Sequence, residues 1–420
     1  MSESSDNRLI KDIPSDWEAI KLKRVVKIVT GNTPPKSQEN NYAEEGVPWV
    51  KPDNLISDFV ISNSKEKISE EGMKTARLIP EKSALVCCIG SVGKVSINTE
   101  CCTTNQQINS IVFDQPDLLD NEFGLYVTLA AKEEYIKHSN KVVVSILNKT
   151  DQGSIKVPKP PLSKQKIIAK FLKHKTLSID ALISDKEKLI KLLEEKRQAI
   201  ITEAVTKGLD PDVKMKDSGV EWIGEIPEHW EMKKIKHVVS IQNGREILKE
   251  VDEESTDYQK YRVYGSGGFF KWTNDYLYNG ESVLFGRKGT LGKPLYVNGP
   301  FWTVDTMYYS KMKKVKAKYF YFILLSFPWE IITTQTALPS IVSTDLSNEN
   351  WCFPSIKEQN AIINYLDKVD GETTSNVKLL KRQIELLKEY RQSLIYEAVT
   401  GKIDVQEMLK ETEQEEVSSS

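Results

Sequence analysis

The segment FGRKGTLGK at positions 285–293 places three cations among three glycines, and these cations are Arg287, Lys288 and Lys293. Glycine lets backbone amides approach a phosphate group, and the cations supply complementary charge. A Walker A nucleotide loop is disfavoured, because the spacing from Gly286 to Gly292 is one residue too long and Pro294 replaces the Ser or Thr that holds magnesium. The residues therefore predict a turn that contacts phosphates, with a purely structural hairpin as the alternative.

Catalytic patterns are weaker in this sequence. Asp212 and Glu231 satisfy the loose P-D…E-x-K pattern of nucleases, but the pattern lies across a linker and not in a buried sheet, so a cryptic nuclease is the least favoured hypothesis. The four histidines are scattered and have no obvious nucleophile to serve. The five cysteines lack the spacing of a zinc site, so we expect small buried hydrophobic side chains. We therefore expect no catalysis and no metal in this chain.

Bulk properties set the class of protein. A length of 420 residues favours two or more domains, and 39% hydrophobic with 28% charged residues is typical of globular proteins. The polar amino terminus lacks the apolar core of a signal peptide, and no apolar run is long enough to cross a membrane. We therefore expect a cytoplasmic protein. The net charge of −2 means that any nucleic acid must be met by local basic patches.

Internal repetition runs along nearly the whole chain. IPSDWE at positions 13–18 returns as IPEHWE at 226–231, and EEKRQAIITEAVTKGLD at 194–210 returns as KEYRQSLIYEAVTGKID at 388–404. The stretch 84–107, which contains GSVGK, parallels 282–307, which contains GTLGK. The sequence therefore contains two copies of one unit.

Each copy combines a mixed part with a helical part. Short apolar runs broken by Gly, Pro and Asn predict strands and loops, while the proline-free stretches 163–207 and 356–401 predict long helices. Ser355 and Glu358 form a capping box, and Gly208 and Gly401 suit the carboxyl ends. The predicted fold is two mixed α/β (α+β) domains joined by two long helices packed as an antiparallel coiled coil, with an internal pseudo-two-fold repeat.

The predicted boundaries follow from this division, and they are 1–160 and 211–353 for the two domains, 161–210 and 354–404 for the helices, and 405–420 for an acidic, disordered tail. Heptad spacing predicts a helix–helix seam, formed by Ile183, Ile190, Leu193, Arg197, Ile200, Ala204, Val377, Ile384, Leu387, Arg391, Leu394 and Ala398. The sequence leaves open whether the second helix continues through Gly371, because a mid-helix glycine costs about 1 kcal/mol.

The segment FLKHKTLSIDALISDKEKLIKLLEEKRQAIITEAVTKGLD (171–210), followed by MKDSGVEWIGEIPEHWE (215–231), resembles the specificity subunit of type I restriction-modification enzymes. The resemblance covers essentially the whole chain. It implies that each domain recognises one half of a bipartite double-stranded DNA target, while the helices fix the spacer and bind two methyltransferase subunits. It also implies that restriction subunits join the complex, and that S-adenosylmethionine, ATP and magnesium are used by those partners. A coiled-coil scaffold that binds no DNA is the alternative.

The resemblance directs attention to polar loops whose chemistry suits DNA, because Lys and Arg contact phosphates and Asn or Gln pairs with adenine. The candidates in the first domain are Thr33, Lys36, Lys51, Asn54, Ser91, Lys94, Thr104, Asn105, Gln106 and Gln107. The candidates in the second domain are Arg245, Tyr264, Ser266, Arg287, Lys288, Thr290, Lys293, Thr303, Asp305 and Thr306. Ordinary polar turns are the alternative for any one of them, and the target sequence is not predictable from these residues.

Overall fold

The computed structural model describes residues 7–57, 60–61, 64–140, 143–247, 250–253, 259–289, 291–334 and 339–408. The chain forms two compact units, one of residues 1–185 with 383–420 and the other of residues 186–382. Each unit therefore contains one mixed α+β domain and a part of each long helix.

Strands and short helices of the first unit lie in this order: β1 (Glu18–Lys21), β2 (Lys27–Thr30), β3 (Tyr42–Ala43), β4 (Val47–Val50), β5 (Leu55–Ser57), β6 (Val60–Ile61), β7 (Lys67–Ile68), α1 (Glu70–Met73), β8 (Ala84–Cys87), β9 (Val95–Ile97), β10 (Thr103–Thr104), β11 (Ile108–Val112), α2 (Asn121–Ala130), α3 (Lys132–Lys137), α4 (Lys149–Ser154) and β12 (Lys156–Lys159). The first long helix, α5, spans Leu162–Lys207.

The second unit contains β13 (Met215–Asp217), β14 (Glu225–Pro227), β15 (Glu231–Lys234), β16 (Val239–Asn243), β17 (Glu250–Val251), β18 (Tyr261–Gly265), β19 (Gly268–Thr273), β20 (Tyr278–Asn279), β21 (Ser282–Gly286), β22 (Leu295–Val297), β23 (Pro300–Thr303), β24 (Met307–Met312), α6 (Ala317–Ser326), α7 (Ser343–Asn348) and β25 (Asn350–Phe353). The second long helix, α8, spans Ile356–Val399.

The two domains share one sheet topology. An antiparallel sheet has the order β2-β11-β8-β9 in the first unit and β16-β24-β21-β22 in the second. A second sheet has the order β10-β4-β7-β3 in the first unit, and its counterpart is β17-β19-β18-β23 with β20 added at the edge. In both, the strand that leads into the candidate loops pairs in parallel, β10 with β4 and β23 with β18. The sequence repeat is therefore a repeat of fold.

Apolar burial explains why these elements form. Strands β8 and β21 are buried along their whole length, as expected for central strands covered on both faces. Helix α2 packs nearly all of its residues into the first core, and α6 contributes Tyr319, Phe320 and Phe322 to the second. Helix α6 ends at Ser326, because Pro328 cannot continue it.

The repeated Ile-Pro-x-x-Trp motif packs against a helix end in each unit. Gly401 has φ 71° and lies so close to Pro14 that an added Cβ would be 2.7 Å from the proline ring. Gly208 has φ 80°, and its added Cβ would lie 3.2 Å from the Trp230 ring. Both glycines adopt the left-handed conformation that ends a helix. The motif occurs twice because each unit closes one helix end in this way.

The long helices run antiparallel. In the first unit the start of α5 meets the end of α8, where Arg391 lies 3.1 Å from Asp180. In the second unit the end of α5 meets the start of α8, where Arg197 pairs with Asp370. The predicted fold class, with mixed domains and long antiparallel helices, is confirmed. Every residue of the predicted seam is buried or half-buried.

The helix boundaries differ slightly from the predicted ones. The Ser355 hydroxyl accepts a hydrogen bond from the Glu358 backbone amide, and the Glu358 carboxylate accepts one from the Ser355 backbone amide. These two bonds form the predicted capping box. Helix α8 is continuous through Gly371, which is exposed. The tail prediction was wrong for residues 405–408, which are helical, with Val405 buried in the first core. Residues 409–420 lie outside the described part of the chain. Within that part, no helix is both long and apolar enough to span a membrane.

Candidate nucleic-acid interface

In the first unit, the end of β2 packs directly against the loop 103–107. The Asn32 amide donates to the Thr104 carbonyl over 2.9 Å. A Cβ on Gly31 would lie only 2.2 Å from the Asn105 carbonyl oxygen, so position 31 requires glycine for close backbone approach. This approach holds two predicted polar loops side by side.

Amide side chains cover this contact. Gln106 is exposed and accepts a hydrogen bond from the Thr33 hydroxyl. The Asn105 side chain donates to the Gln107 side chain over 2.9 Å, and the Gln107 backbone amide donates to the Asn105 side-chain oxygen over 3.1 Å. Thr104 and Asn105 are 1% and 6% exposed. Gln106 and Thr33 therefore present groups to a ligand, whereas Thr104 and Asn105 lie inside and orient their neighbours.

The cations of the first unit surround Trp49. The ammonium group of Lys51 lies 4.5 Å from the Trp49 ring centroid and that of Lys36 lies 6.0 Å from it. Lys51 also pairs with Glu66, and its backbone amide donates to the Asn54 side chain over 2.8 Å. These interactions hold two basic side chains at Trp49, whose indole donates to the Asn32 carbonyl over 3.3 Å. We use the name reading loops for residues 31–33 with 103–107 and for their counterparts in the second unit, 244–246 with 303–306.

A turn with the sequence Gly-x-x-Gly-Lys lies next to the reading loops in each unit. Its glycines all have positive φ, with 80° and 90° at Gly90 and Gly93 and 77° and 73° at Gly289 and Gly292. The segments that precede helices α4 and α7 bind it equivalently, since the first glycine amide donates over 2.9 Å to Ser145 in one unit and to Pro339 in the other. The glycines of the shared turn inferred from the repeat therefore have positive φ and an equivalent backbone hydrogen bond in both units.

Several polar side chains of these turns are exposed to solvent. The exposed residues are Ser91, Lys94, Lys288 and Lys293. The Lys94 ammonium group donates to the Pro52 carbonyl over 3.0 Å, which ties the first turn to the loop that carries Lys51. Arg287 is half-buried with its guanidinium 6.0 Å from the Tyr308 ring centroid. Thr290, also a predicted residue, lies outside the described residues.

The second unit repeats the backbone arrangement of the first. The Arg245 amide donates to Thr303 over 2.9 Å, and the Val304 amide donates to Tyr264 over 3.3 Å. A Cβ on Gly244 would lie 2.0 Å from the Val304 carbonyl oxygen. Gly244 is therefore the counterpart of Gly31.

The side chains on this second scaffold are different. Those that are exposed are Arg245, Asp305 and Thr306. Thr303 is fully buried, and its hydroxyl donates to the Tyr264 carbonyl over 3.0 Å. Tyr264 and Ser266 are half-buried. Burial raises the pKa of Tyr309 on β24, and the positive charge of nearby Arg245 opposes that rise.

Other surface residues near the loops were not predicted. Phe269 and Phe270 are exposed at the β18–β19 hairpin, with the Arg262 guanidinium 5.7 Å from the Phe269 centroid. Val143 and Ile146 are exposed beside the Gly90 turn. The glycines at positions 265, 267 and 268 disfavour a strand in the sequence, whereas the two phenylalanines that follow them favour one.

Glu231 and the cysteines, which were considered from the sequence for catalysis and metal binding, lie in a surface ion pair and in the hydrophobic cores respectively, except for Cys101. Glu231 is exposed and pairs with Lys233, and a hydrogen bond from that lysine lowers the pKa of Glu231. Burial raises the pKa of Cys88, Cys102 and Cys352 to about 12, so these thiols stay protonated. A neutral buried thiol packs as a small hydrophobic group. Cys101, in contrast, is exposed.

Apolar side chains also lie on the outer faces of the long helices. Helix α5 exposes Leu177, Leu182, Leu189 and Leu192. Helix α8 exposes Leu379, Leu386 and Tyr390. Exposed apolar residues repeated along a helix indicate a surface for another helix.

Comparison with known proteins supplies the family. The model of the type I restriction modification DNA specificity domain matches residues 14–192 and 227–386, and both segments start at the proline of an Ile-Pro-x-x-Trp motif. The chain is 25% identical to the type I restriction enzyme MjaVIII specificity subunit of Methanocaldococcus jannaschii, over 94% of this chain and 95% of the relative. It is 22% identical to the EcoprrI specificity subunit of Escherichia coli, over 89% and 92%.

A chain in a solved structure also shares the fold. That structure concerns complex assembly and conformational transition of the type I restriction-modification system, and the two chains have a TM-score of 0.68 at 14% identity, covering 93% of this chain and 100% of the other. Because the family model matches most of the sequence, in two segments that correspond to the two copies of the repeat, the chain belongs to the family of type I restriction-modification DNA specificity subunits, the non-catalytic components that recognise the DNA target.

Proposed function

We propose that each unit reads one half of a bipartite double-stranded DNA target. The observation that carries this proposal is the repeated scaffold, in which Gly31 and Gly244 bring equivalent loops together beside a Gly-x-x-Gly-Lys turn. The backbone contacts of these loops are equivalent in the two units, but the exposed side chains differ. Equal scaffolds with unequal side chains suit two different half-targets that are read in the same manner.

The side chains at the reading positions have groups that suit particular base edges. Gln106 in the first unit offers an amide that can pair bidentately with adenine. The equivalent region of the second unit offers Asp305, a carboxylate that can accept from the amino group of cytosine. The lysines of the adjacent turns contact phosphates and set the register of each unit on the duplex.

We also propose that the long helices set the gap between half-targets and bind two methyltransferase subunits through their exposed leucines. Helices of 46 and 44 residues correspond to lengths of roughly 70 and 65 Å. Repetition of the helix sequence supports two equivalent partner sites. Restriction subunits would complete the assembly in the cytoplasm, and these partners would use S-adenosylmethionine, ATP and magnesium.

The test is methylation of a genome. We would co-express this chain with the methyltransferase subunit of its system in a host that lacks DNA methylation, and then sequence the modified bases. The expected result is a split motif with a fixed gap. A stable complex that methylates nothing would support the scaffold alternative and refute the DNA proposal.

Point variants assign each half-target. Gln106→Ala should relax or abolish recognition of one half only, and Asp305→Asn should affect the other half only. Asn298→Ala is the matched control, because Asn298 is exposed in the turn before β23, at the opposite end of that strand from the reading loop. A change at both halves from either variant would contradict the assignment of one unit to one half.

A further inference from the structure

The β18–β19 hairpin of the second unit exposes two adjacent phenylalanines at its tip. Phe269 is 44% exposed and Phe270 is 49% exposed. The strands pair Tyr264 with Phe269 and Gly265 with Gly268, so both rings lie within two residues of the turn. Exposed neighbouring aromatic residues at a hairpin tip lose the stabilisation that burial would give, and such patches commonly mark a binding surface.

Both rings are held in place. The Phe269 ring centroid lies 5.0 Å from that of Trp272, in an edge-to-face arrangement, and 6.5 Å from that of Tyr264. Gly265 lies beneath Phe270, since a Cβ at that glycine would be 3.3 Å from the Phe270 ring. Supported rings lose little freedom when a ligand stacks on them, so the tip is suited to contact flat groups.

Cations accompany the aromatic residues. The Arg262 guanidinium lies 5.7 Å from the Phe269 ring centroid and 5.9 Å from that of Trp272. The Lys271 ammonium group lies 5.7 Å from the Phe270 centroid and also pairs with Glu250. Aromatic faces beside positive charge are the combination that binds bases and phosphates of nucleic acids.

The hairpin is continuous with the proposed reading loop. The Tyr264 carbonyl accepts hydrogen bonds from the Thr303 hydroxyl over 3.0 Å and from the Val304 amide over 3.3 Å. The reading side chains of Asp305 and Thr306 follow directly. A duplex that contacts Asp305 therefore lies at the same end of the sheet as the hairpin tip.

We propose that Phe269 and Phe270 stack on bases of the DNA, at or next to the half-target read by the second unit. This inference rests on the proposed function and adds a contact that is insensitive to salt. Aromatic side chains inserted at a base step unstack it locally, which makes recognition depend on how easily that step deforms.

The test measures DNA affinity of the complex with its methyltransferase subunit. The probe is a short duplex that carries the motif found by methylation sequencing, with a scrambled duplex for comparison. Phe270→Ala should weaken binding to the motif by about 10-fold, the usual scale for loss of one stacked base. The slope of log affinity against log salt should not change, because the variant removes no phosphate contact. Phe269→Ala, which also removes the contact with Trp272, should weaken binding at least as much.

Tyr276→Ala is the matched control. Tyr276 is also 44% exposed, but it packs on Tyr261 at the other end of β18, with ring centroids 5.1 Å apart. This variant should bind as the wild type does. Thermal unfolding of each variant shows whether the fold is retained, and 2-aminopurine placed along the half-target reports unstacking by fluorescence.

The outcomes separate the inference from the function on which it rests. Wild-type affinity in folded Phe269→Ala and Phe270→Ala variants would refute the stacking contact while leaving the DNA-reading function intact. Equal losses in the two phenylalanine variants and in Tyr276→Ala would also refute it. A wild-type complex that does not distinguish the motif from the scrambled duplex would refute the proposed function itself.

Discussion

Replacing Gly31 or Gly244 by alanine should disable one reading site at a time. The added Cβ of Gly31→Ala would lie 2.2 Å from the Asn105 carbonyl oxygen and 2.3 Å from that of Thr104. In Gly244→Ala the nearest atom is the Val304 carbonyl oxygen at 2.0 Å. All three are backbone oxygens, so no flexible side chain can move aside to relieve the contact.

The size of the effect follows from these distances. Restoring ordinary contact requires the two loops to separate by roughly 1 Å, and overpacking of this kind costs about 1–3 kcal/mol. The same movement stretches the 2.9 Å bonds from Asn32 to Thr104 and from Arg245 to Thr303 beyond hydrogen-bond range. The exposed reading side chains on the displaced loops then lose their positions relative to the bases.

The assay combines thermal unfolding with methylation sequencing of the co-expressed complex. We expect a lower unfolding temperature for each variant and loss of discrimination at the half-target read by the altered unit. Gly371→Ala is the control, because Gly371 is exposed within α8 and its added Cβ meets no atom within 4 Å. That substitution should stabilise the protein by about 1 kcal/mol and leave the motif unchanged. Gly31→Ala with wild-type stability and wild-type methylation would refute the close-approach argument.

Three further outcomes are expected. Partial burial opposes but does not prevent a lowered pKa of Glu358, because its carboxylate accepts hydrogen bonds from His229 and Ser355. A lowered pKa stabilises the fold at pH values above the unfolded-state pKa, and this stabilisation is lost on acidification. Glu358→Gln should therefore lower the free energy of unfolding at neutral pH by less than about 1 kcal/mol, and its unfolding temperature should converge with that of the wild type as the pH falls below 4.5. Reversing the Glu122–Lys173 pair, which spans 2.8 Å, should restore most of the stability lost in either single reversal, as measured by a double-mutant cycle with a coupling of about 0.2–1 kcal/mol. Adding one heptad to each long helix should widen the gap in the methylated motif by about three base pairs, since seven helical residues span roughly 10 Å, and an unchanged gap would contradict the proposal that the helices set the spacer.

The helices and the repeat were predictable because their signals are local. Heptad spacing, the absence of proline and the Ser355–Glu358 capping box depend on residues within one or two turns of each other. The end of α5 at Lys207, before Gly208, was likewise predictable from the sequence. The helical structure at the start of the tail was not predictable, because Val405 is buried by packing against residues far away in the sequence.

The reading loops were predictable in composition but not in detail. Residues near Gly31 and those near Thr104 are brought together by the pairing of β2 with β11, a contact across more than seventy residues. Sequence patterns do not show such pairing, so buried Thr104 and Thr303 could not be distinguished from exposed Gln106 and Asp305. The hairpin that exposes Phe269 is not evident from the sequence, because the glycines at its turn disfavour a strand.

The comparison of the two units explains how one fold can read two sequences. Gly31 and Gly244 fix backbone positions, as do the glycines of the Gly-x-x-Gly-Lys turns, because another residue at those points would clash or be strained. The adjacent exposed positions carry no such constraint, since Gln106 in one unit is replaced by an acidic residue in the other. Substitution at the exposed positions can therefore change a half-target without disturbing the scaffold, and a change in one unit leaves the loops of the other intact.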